Sequence, residues 1–270
     1  MAGKRTSRRA FGSRGSGDRV MVESSVGMLE LLVDRGRPRG RMLLIDGLTH
    51  GYVDLDDPGH LELDYVARIG AALEVLLPRG ASPARVLHLG GGAFSLPRFI
   101  ASTRPHAEQV VIEKSGAVVR LAEQHLRLRR SGRLRVLVGD AATVIDELGD
   151  DSFDLVLGDA FEGIEVPAAM ATPTFALEVE RVLAPGGAYL LNVVDGPPWS
   201  FSAQQAQILR SRFAHVLAFG GREVMRGKHS GNVLLLASQR ALPREALARQ
   251  LAGGAHPAEL ADGERLATRG

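Results

Sequence analysis

Cysteine is absent from all 270 residues. Its absence excludes disulfides, thiolate metal sites and a cysteine nucleophile. Long apolar runs are missing too, and none approaches the roughly 20 residues of a membrane-spanning helix. The start, MAGKRTSRRAFGSRGSGDR, is basic but lacks the apolar stretch of a secretory signal, so a cytoplasmic location is expected. No internal repeat is visible. No His/Asp cluster has metal-ligand spacing, and no metal is expected. What remains is an ordinary globular composition, 45% hydrophobic and 24% charged. The length suffices to bury a core without a staple.

The net charge of +2 is unevenly placed. Lys4, Arg5, Arg8, Arg9, Arg14 and Arg19 face only Asp18, a local +5 that leaves the other 250 residues at −3. Residues 1–20 are Gly/Ser/Arg-rich with almost nothing to bury, so they are expected to be a disordered arm. A solvated tail is the simpler reading, and nucleic acid is not an expected partner.

Residues 21–60 read as a small β subdomain, with strands at 28–33 and 41–45 around the turn-rich DRGRPRG and a further strand pair or loop at 46–57. Leu61, Tyr65, Ile69, Leu73 and Leu76 recur at helical spacing and predict a helix over 60–77, ended by Pro78. From there to residue 240 strands alternate with helices: strands at 86–89, 110–112, 134–138, 153–157 and 188–193, then closing strands near 215–218 and 233–237. That alternation predicts a doubly wound, mostly parallel seven-stranded sheet covered on both faces. Residues 241–270 are Ala/Arg/Glu-rich and read as a weakly structured tail.

Four features fall at successive strand ends, where such sheets bind ligands. Gly90-Gly91-Gly92 follows the first strand and permits a tight turn and a close ligand; taken alone it is also a plain turn. It is not the dinucleotide fingerprint, which needs glycine at Ser95. Glu113 ends the second strand, where a carboxylate can accept ribose hydroxyls. Asp140-Ala141 follows the third strand: the acid can accept from an adenine amino group, or cap the next helix. Asp159 ends the fourth strand, suited to orienting an amine or removing its proton. Glu162 follows three residues later. A dinucleotide oxidoreductase accounts for the first two features but not the third.

Together with the turn Leu183, Pro185-Gly186-Gly187, this order resembles the class I S-adenosylmethionine-dependent methyltransferase-type fold, which is Rossmann-like. The N-terminal stretch Asp46-Gly47-Leu48-Thr49-His50, with His60-Leu61-Glu62 after it, narrows the resemblance to the polyamine aminopropyltransferases, the spermidine synthases. It covers roughly residues 28–240. The family's G-G-G-D-G-G loop falls on Gly90 to Ser95, its ribose acid on Glu113, its G-D-[AG] adenine contact on Gly139-Asp140-Ala141 and its catalytic aspartate on Asp159. The run Asn192 to Pro198 resembles a bacterial spermidine-synthase-like branch.

The departures fall on one half of the site. The loop aspartate that holds the donor's amine is Ala93 here, the family's Gln is His50, its Tyr-His pair is His60-Leu61, and the second lid aspartate is Glu162. The nucleoside half is kept and the diamine half is rewritten. Each charge-assisted hydrogen bond lost to a cation is worth about 1.5–3 kcal/mol. Glu62, Asp64, Glu162 and Glu165 are nearby acids that can hold a different amine or only solvate the loop.

The resemblance implies a transferase that binds decarboxylated S-adenosylmethionine as co-substrate, with no tightly bound cofactor, and passes its aminopropyl group to an amine in polyamine biosynthesis. It also implies a homodimer. Asp159 is the expected catalytic residue; His50, Gly90, Gly91, Gly92, Glu113, Asp140 and Ala141 are expected on the donor, and Glu62, Tyr65 and Glu162 on the acceptor. Two alternatives remain open: a methyltransferase using intact S-adenosylmethionine, and a non-catalytic nucleoside-binding homologue. His88, inside its strand, reads as a core histidine, Trp199 as a loop residue packed on the core, and His229 as a turn residue.

Overall fold

The computed structural model describes residues 19–80 and 83–267. The expected arm thus lies outside the described residues, apart from Arg19 and Val20, which open the first strand. Strands β1 (Arg19–Ser24), β2 (Gly27–Asp34), β3 (Arg37–Ile45) and β4 (Leu48–Asp54) form an antiparallel meander. Asp46 and Gly47 both adopt positive φ, 49° and 78°. That two-residue turn is the kind whose twist matches a hairpin. Period-two burial puts Leu29, Leu31 and Leu43 on the inner face, packed with Phe94 and with α3 (Gly116–His125).

The helix expected from residue 60 begins at Asp64 and runs to Leu76 as α1. It buries Val66, Ile69, Ala72 and Leu73 and stops ahead of Pro78, which disfavours helix in the residue before it.

The main sheet has the order β12-β10-β11-β9-β8-β5-β6-β7. Strands β5 (Arg85–Leu89), β6 (Glu108–Glu113), β7 (Leu134–Val138), β8 (Phe153–Gly158) and β9 (Leu183–Asp195) are parallel. Strands β10 (His215–Gly221), β11 (Gly231–Ser238) and β12 (Ala258–Asp262) close it antiparallel. The sheet therefore has eight strands, one more than expected. α1, α2 (Ser95–Thr103), α3 and α8 (Arg244–Ala252) lie on one face, with α4 (Ala141–Val144), α5 (Pro173–Val182) and α6 (Ser200–Arg210) on the other. A short α7 (Arg222–Met225) links β10 and β11, and α9 (Gly263–Ala267) packs against α6. No described helix is long and apolar enough to cross a membrane.

Strand β5 lies between β6 and β8, so the chain leaves it in one direction and returns on its other side. This is the topological switch point at which such sheets hold ligands. The N-terminal sheet is fastened over it. Ser95 Oγ donates to Tyr52 O at 2.7 Å, and Arg98 donates to the carbonyls of both Asp54 and Leu126.

The described part of the segment expected to be a weakly structured tail, residues 241–267, is ordered instead. Leu247 and Leu251, one turn apart, are 0% and 2% exposed and pack with α1. β12 then pairs with β10 from Leu217–Asp262 to Gly221–Ala258. Long-range burial of these few apolar residues outweighs a locally weak sequence. Leu247→Ala is expected to destabilise the protein by about 2–4 kcal/mol, read as a lowered denaturant midpoint; a loosely attached tail would show no change.

Candidate functional site

A cavity of about 590 Å³ opens at the carboxyl ends of the parallel strands. Its floor is the glycine loop. Gly90 has φ +98°, and a Cβ there would lie 2.6 Å from Asp159 O. Gly92 has φ +50°, and a Cβ there would lie 2.7 Å from His50 O. Glycine is required at both positions by conformation and by space.

Glu113 sits beneath the loop, 9% exposed. Its Oε2 accepts from Gly91 N at 2.8 Å and Gly92 N at 3.3 Å, and its Oε1 from Ser115 N at 2.8 Å. Burial pushes its pKa up, opposed by these three N–H donors. A carboxylate offers about four lone-pair positions, so one is left for a hydroxyl.

Asp140 caps α4, with Ala142 N donating to Oδ1 at 3.0 Å. Lys114 Nζ lies 3.1 Å from Asp140 Oδ2 and 2.7 Å from Glu162 Oε1. Partial burial works against ionisation of Asp140, but the Ala142 N–H and the Lys114 ammonium hold it below the usual carboxylate range. Lys114 thus ties the loop after β8 to the end of β7. That loop turns at Glu162 to Glu165, with Gly163 at φ +65°, and leaves Ile164 58% exposed.

Asp159 lies half-buried at the cavity wall, and its backbone N donates to Leu89 O at 2.9 Å. Asn192 Nδ2 donates to Oδ1 at 2.8 Å and Tyr65 Oη to Oδ2 at 3.3 Å. Asn232 Nδ2 in turn donates to Asn192 Oδ1 at 3.0 Å. Burial pushes the Asp159 pKa up to about 6, although both hydrogen bonds favour the carboxylate. Burial, with the Asp159 charge adding to it, holds the Tyr65 hydroxyl well above its ordinary value, so it remains a donor. His50 lines the cavity over Gly92, and burial lowers its pKa against the pull of Asp46, keeping the ring neutral at pH 7. Among the described residues no group of three or more His, Asp or Glu is placed to hold a metal.

Residues 81–228, more than half the chain, match the family described as a methyltransferase domain. A polyamine aminopropyltransferase from Chromobacterium violaceum is 29% identical over 188 residues, 68% of this chain and 67% of that one. The crystal structure of a probable spermidine synthase from Corynebacterium glutamicum superposes with a TM-score of 0.84 at 26% identity, covering 92% of each chain. The chain belongs to the spermidine synthase-like family. A spermidine synthase solved with the transition-state analogue AdoDATO shares the fold at 14% identity, with a TM-score of 0.63 over 86% of this chain and 76% of that one. Alignments to two other polyamine aminopropyltransferases, from Vibrio vulnificus and Aeropyrum pernix, span 55% and 60% of those relatives' lengths.

Within this spermidine synthase-like frame, the cavity gathers His50, Tyr65, Gly90, Gly91, Gly92, Glu113, Asp140, Ala141, Asp159 and Glu162. Glu62 is not brought there. It lies ahead of α1 and pairs locally with His60, 2.8 Å away, so the expectation that it lines the acceptor side is corrected. Ala93, 1% exposed, is sealed by β4: a Cβ on Gly51 would lie 2.5 Å from its own. His88 is a core residue, 2% exposed, with Nε2 2.9 Å from Gln109 Oε1, and burial pushes its pKa down to about 4. Trp199 packs in the core beside α6 and Gly227. Lys114, Asn192 and Asn232 are the site residues that sequence reasoning missed. For Lys114 the available signal was its place directly after Glu113.

A buried carboxylate with a raised pKa destabilises the fold once it ionises. Below pH 3.8 Asp159 is neutral in the folded and unfolded states and contributes nothing. The penalty grows as pH rises and is complete above about pH 6, where it is on the order of 3 kcal/mol. Asp159→Asn is therefore expected to raise Tm at pH 8, with the gain shrinking to nothing near pH 4 in thermal unfolding scans.

Proposed function

We propose that the cavity binds decarboxylated S-adenosylmethionine and transfers its aminopropyl group to an amine. The observation that carries this reading is the half-buried Asp159, held by Tyr65 and Asn192, with its backbone against a glycine loop that rests on Glu113. The nucleoside half supports it. Glu113 has a lone pair left for a ribose hydroxyl, while Asp140 and Ala141 line the same cavity and can take an adenine edge once Lys114 turns to Glu162.

The amine arrives as an ammonium and gives a proton to Asp159, which is ionised above about pH 6. The freed lone pair attacks the methylene beside the sulfonium. A C–N bond forms, the C–S bond breaks, and its electron pair stays on sulfur as a neutral thioether. Tyr65 and Asn192 fix the carboxylate's position, and proximity supplies most of the remaining rate. Asp159→Asn is expected to lower amine-dependent turnover by about 10²–10⁴-fold with donor binding retained. In the wild type, kcat/KM is expected to fall tenfold per pH unit below about pH 6. Turnover unchanged in the variant overturns the assignment.

A second reading rests on Ala93. With alanine sealed under β4, the loop offers no acid to a donor ammonium, which favours intact S-adenosylmethionine and methyl transfer. Calorimetric titration separates the two. Tighter binding of the decarboxylated form supports aminopropyl transfer, and tighter binding of the intact form supports methyl transfer. Binding of neither, nor of methylthioadenosine, removes both.

A further inference from the structure

The sheet order divides the cavity. The glycine loop, Glu113 and Asp140 come from the ends of β5, β6 and β7, and the acceptor must lie on the other side, over β8, β9 and β11. On that side the strands present Asn192, Val194 and Asn232 to the cavity, all uncharged. The lid adds Phe161 and the exposed Ile164. The lid's cavity-lining acid, Glu162, is drawn towards β6 by Lys114. Asp195, next along β9, is turned away: its carboxylate accepts from Gly196 N and Ser202 N at 2.7 Å each and caps α6. Asp46 at the rim accepts from Met28 N at 2.8 Å and packs against Gly27. Asp159 is thus the one carboxylate facing the acceptor side from these strands, and it is engaged with the amine that reacts.

A second ammonium on the acceptor would be desolvated among amides and apolar walls with no countercharge, which is strongly unfavourable. Resting on the aminopropyl-transfer reading, we propose that the acceptor is an amine with a single cationic nitrogen on an apolar or neutral body, and that diamines are poor substrates. The neutral pair Asn192–Asn232 and Val194 set that preference. The apolar side chains Phe161 and Ile164 cover the acceptor's body.

The test is a rate comparison on the full-length protein with decarboxylated S-adenosylmethionine, reading methylthioadenosine and the aminopropylated product by mass spectrometry. The matched pairs are butylamine against 1,4-diaminobutane and pentylamine against 1,5-diaminopentane. A kcat/KM at least about tenfold higher for the monoamine of each pair is the expected result, since a tenfold ratio corresponds to only 1.4 kcal/mol. Val194→Asp, checked for folding by its unfolding transition, is expected to move the ratio at least tenfold towards the diamine. A diamine turned over as well as or better than its monoamine overturns this inference and leaves aminopropyl transfer standing. No product from any amine, with donor binding measured, overturns both.

Discussion

The site depends on how closely three backbone segments meet at the glycine loop. Gly90 lies against the main chain of Asp159, Gly92 lies under the carbonyl of His50, and the loop's amides point down to Glu113. Any side chain at Gly90 or Gly92 would force these segments apart. Their contact places a carboxylate suited to proton transfer beside a turn suited to a nucleoside, within one cavity. The N-terminal sheet is part of the same arrangement, since His50 belongs to β4 and Tyr52 O receives the Ser95 hydroxyl. The meander is therefore a wall of the site and not an accessory.

Much of this was legible in the sequence because strand-end chemistry is local. Gly90 to Gly92, Glu113, Asp140 and Asp159 each follow an apolar strand, and the alternation of periods fixes which ends share a face of the fold. What was not legible is non-local. Asn192 and Asn232 are polar residues inside apolar strands about forty positions apart, and only the antiparallel pairing of β9 with β11 makes them a pair. Glu62 misled for the opposite reason, because its partner His60 is two residues away and competes locally for the carboxylate. The tail misled through composition. Leu247 and Leu251 are sparse among Ala, Arg and Glu, and their weight comes entirely from α1.

Charge is distributed by use. Asp140 is held below the usual carboxylate range by the Ala142 N–H and Lys114, whereas Glu113, buried on backbone N–H groups alone, is pushed up. Asp159 has neutral donors only, and burial pushes its pKa up to about 6, which makes it a stronger base than an exposed aspartate. The contrast between Asp140 and Asp159 follows from their partners, because a countercharge lowers basicity and its absence under burial raises it.

The last described strand has a further effect on how the protein behaves in solution. β12 covers the outer edge of β10 along five residue pairs. A chain shortened ahead of Ala258 would present β10 as an open row of amide and carbonyl groups, next to the apolar Leu217 and Phe219. Such an edge recruits strands from other molecules. β12 is itself the outermost strand, but it is short and carries Glu259 and Asp262, so the sheet ends on a brief charged edge and not on the apolar stretch of β10.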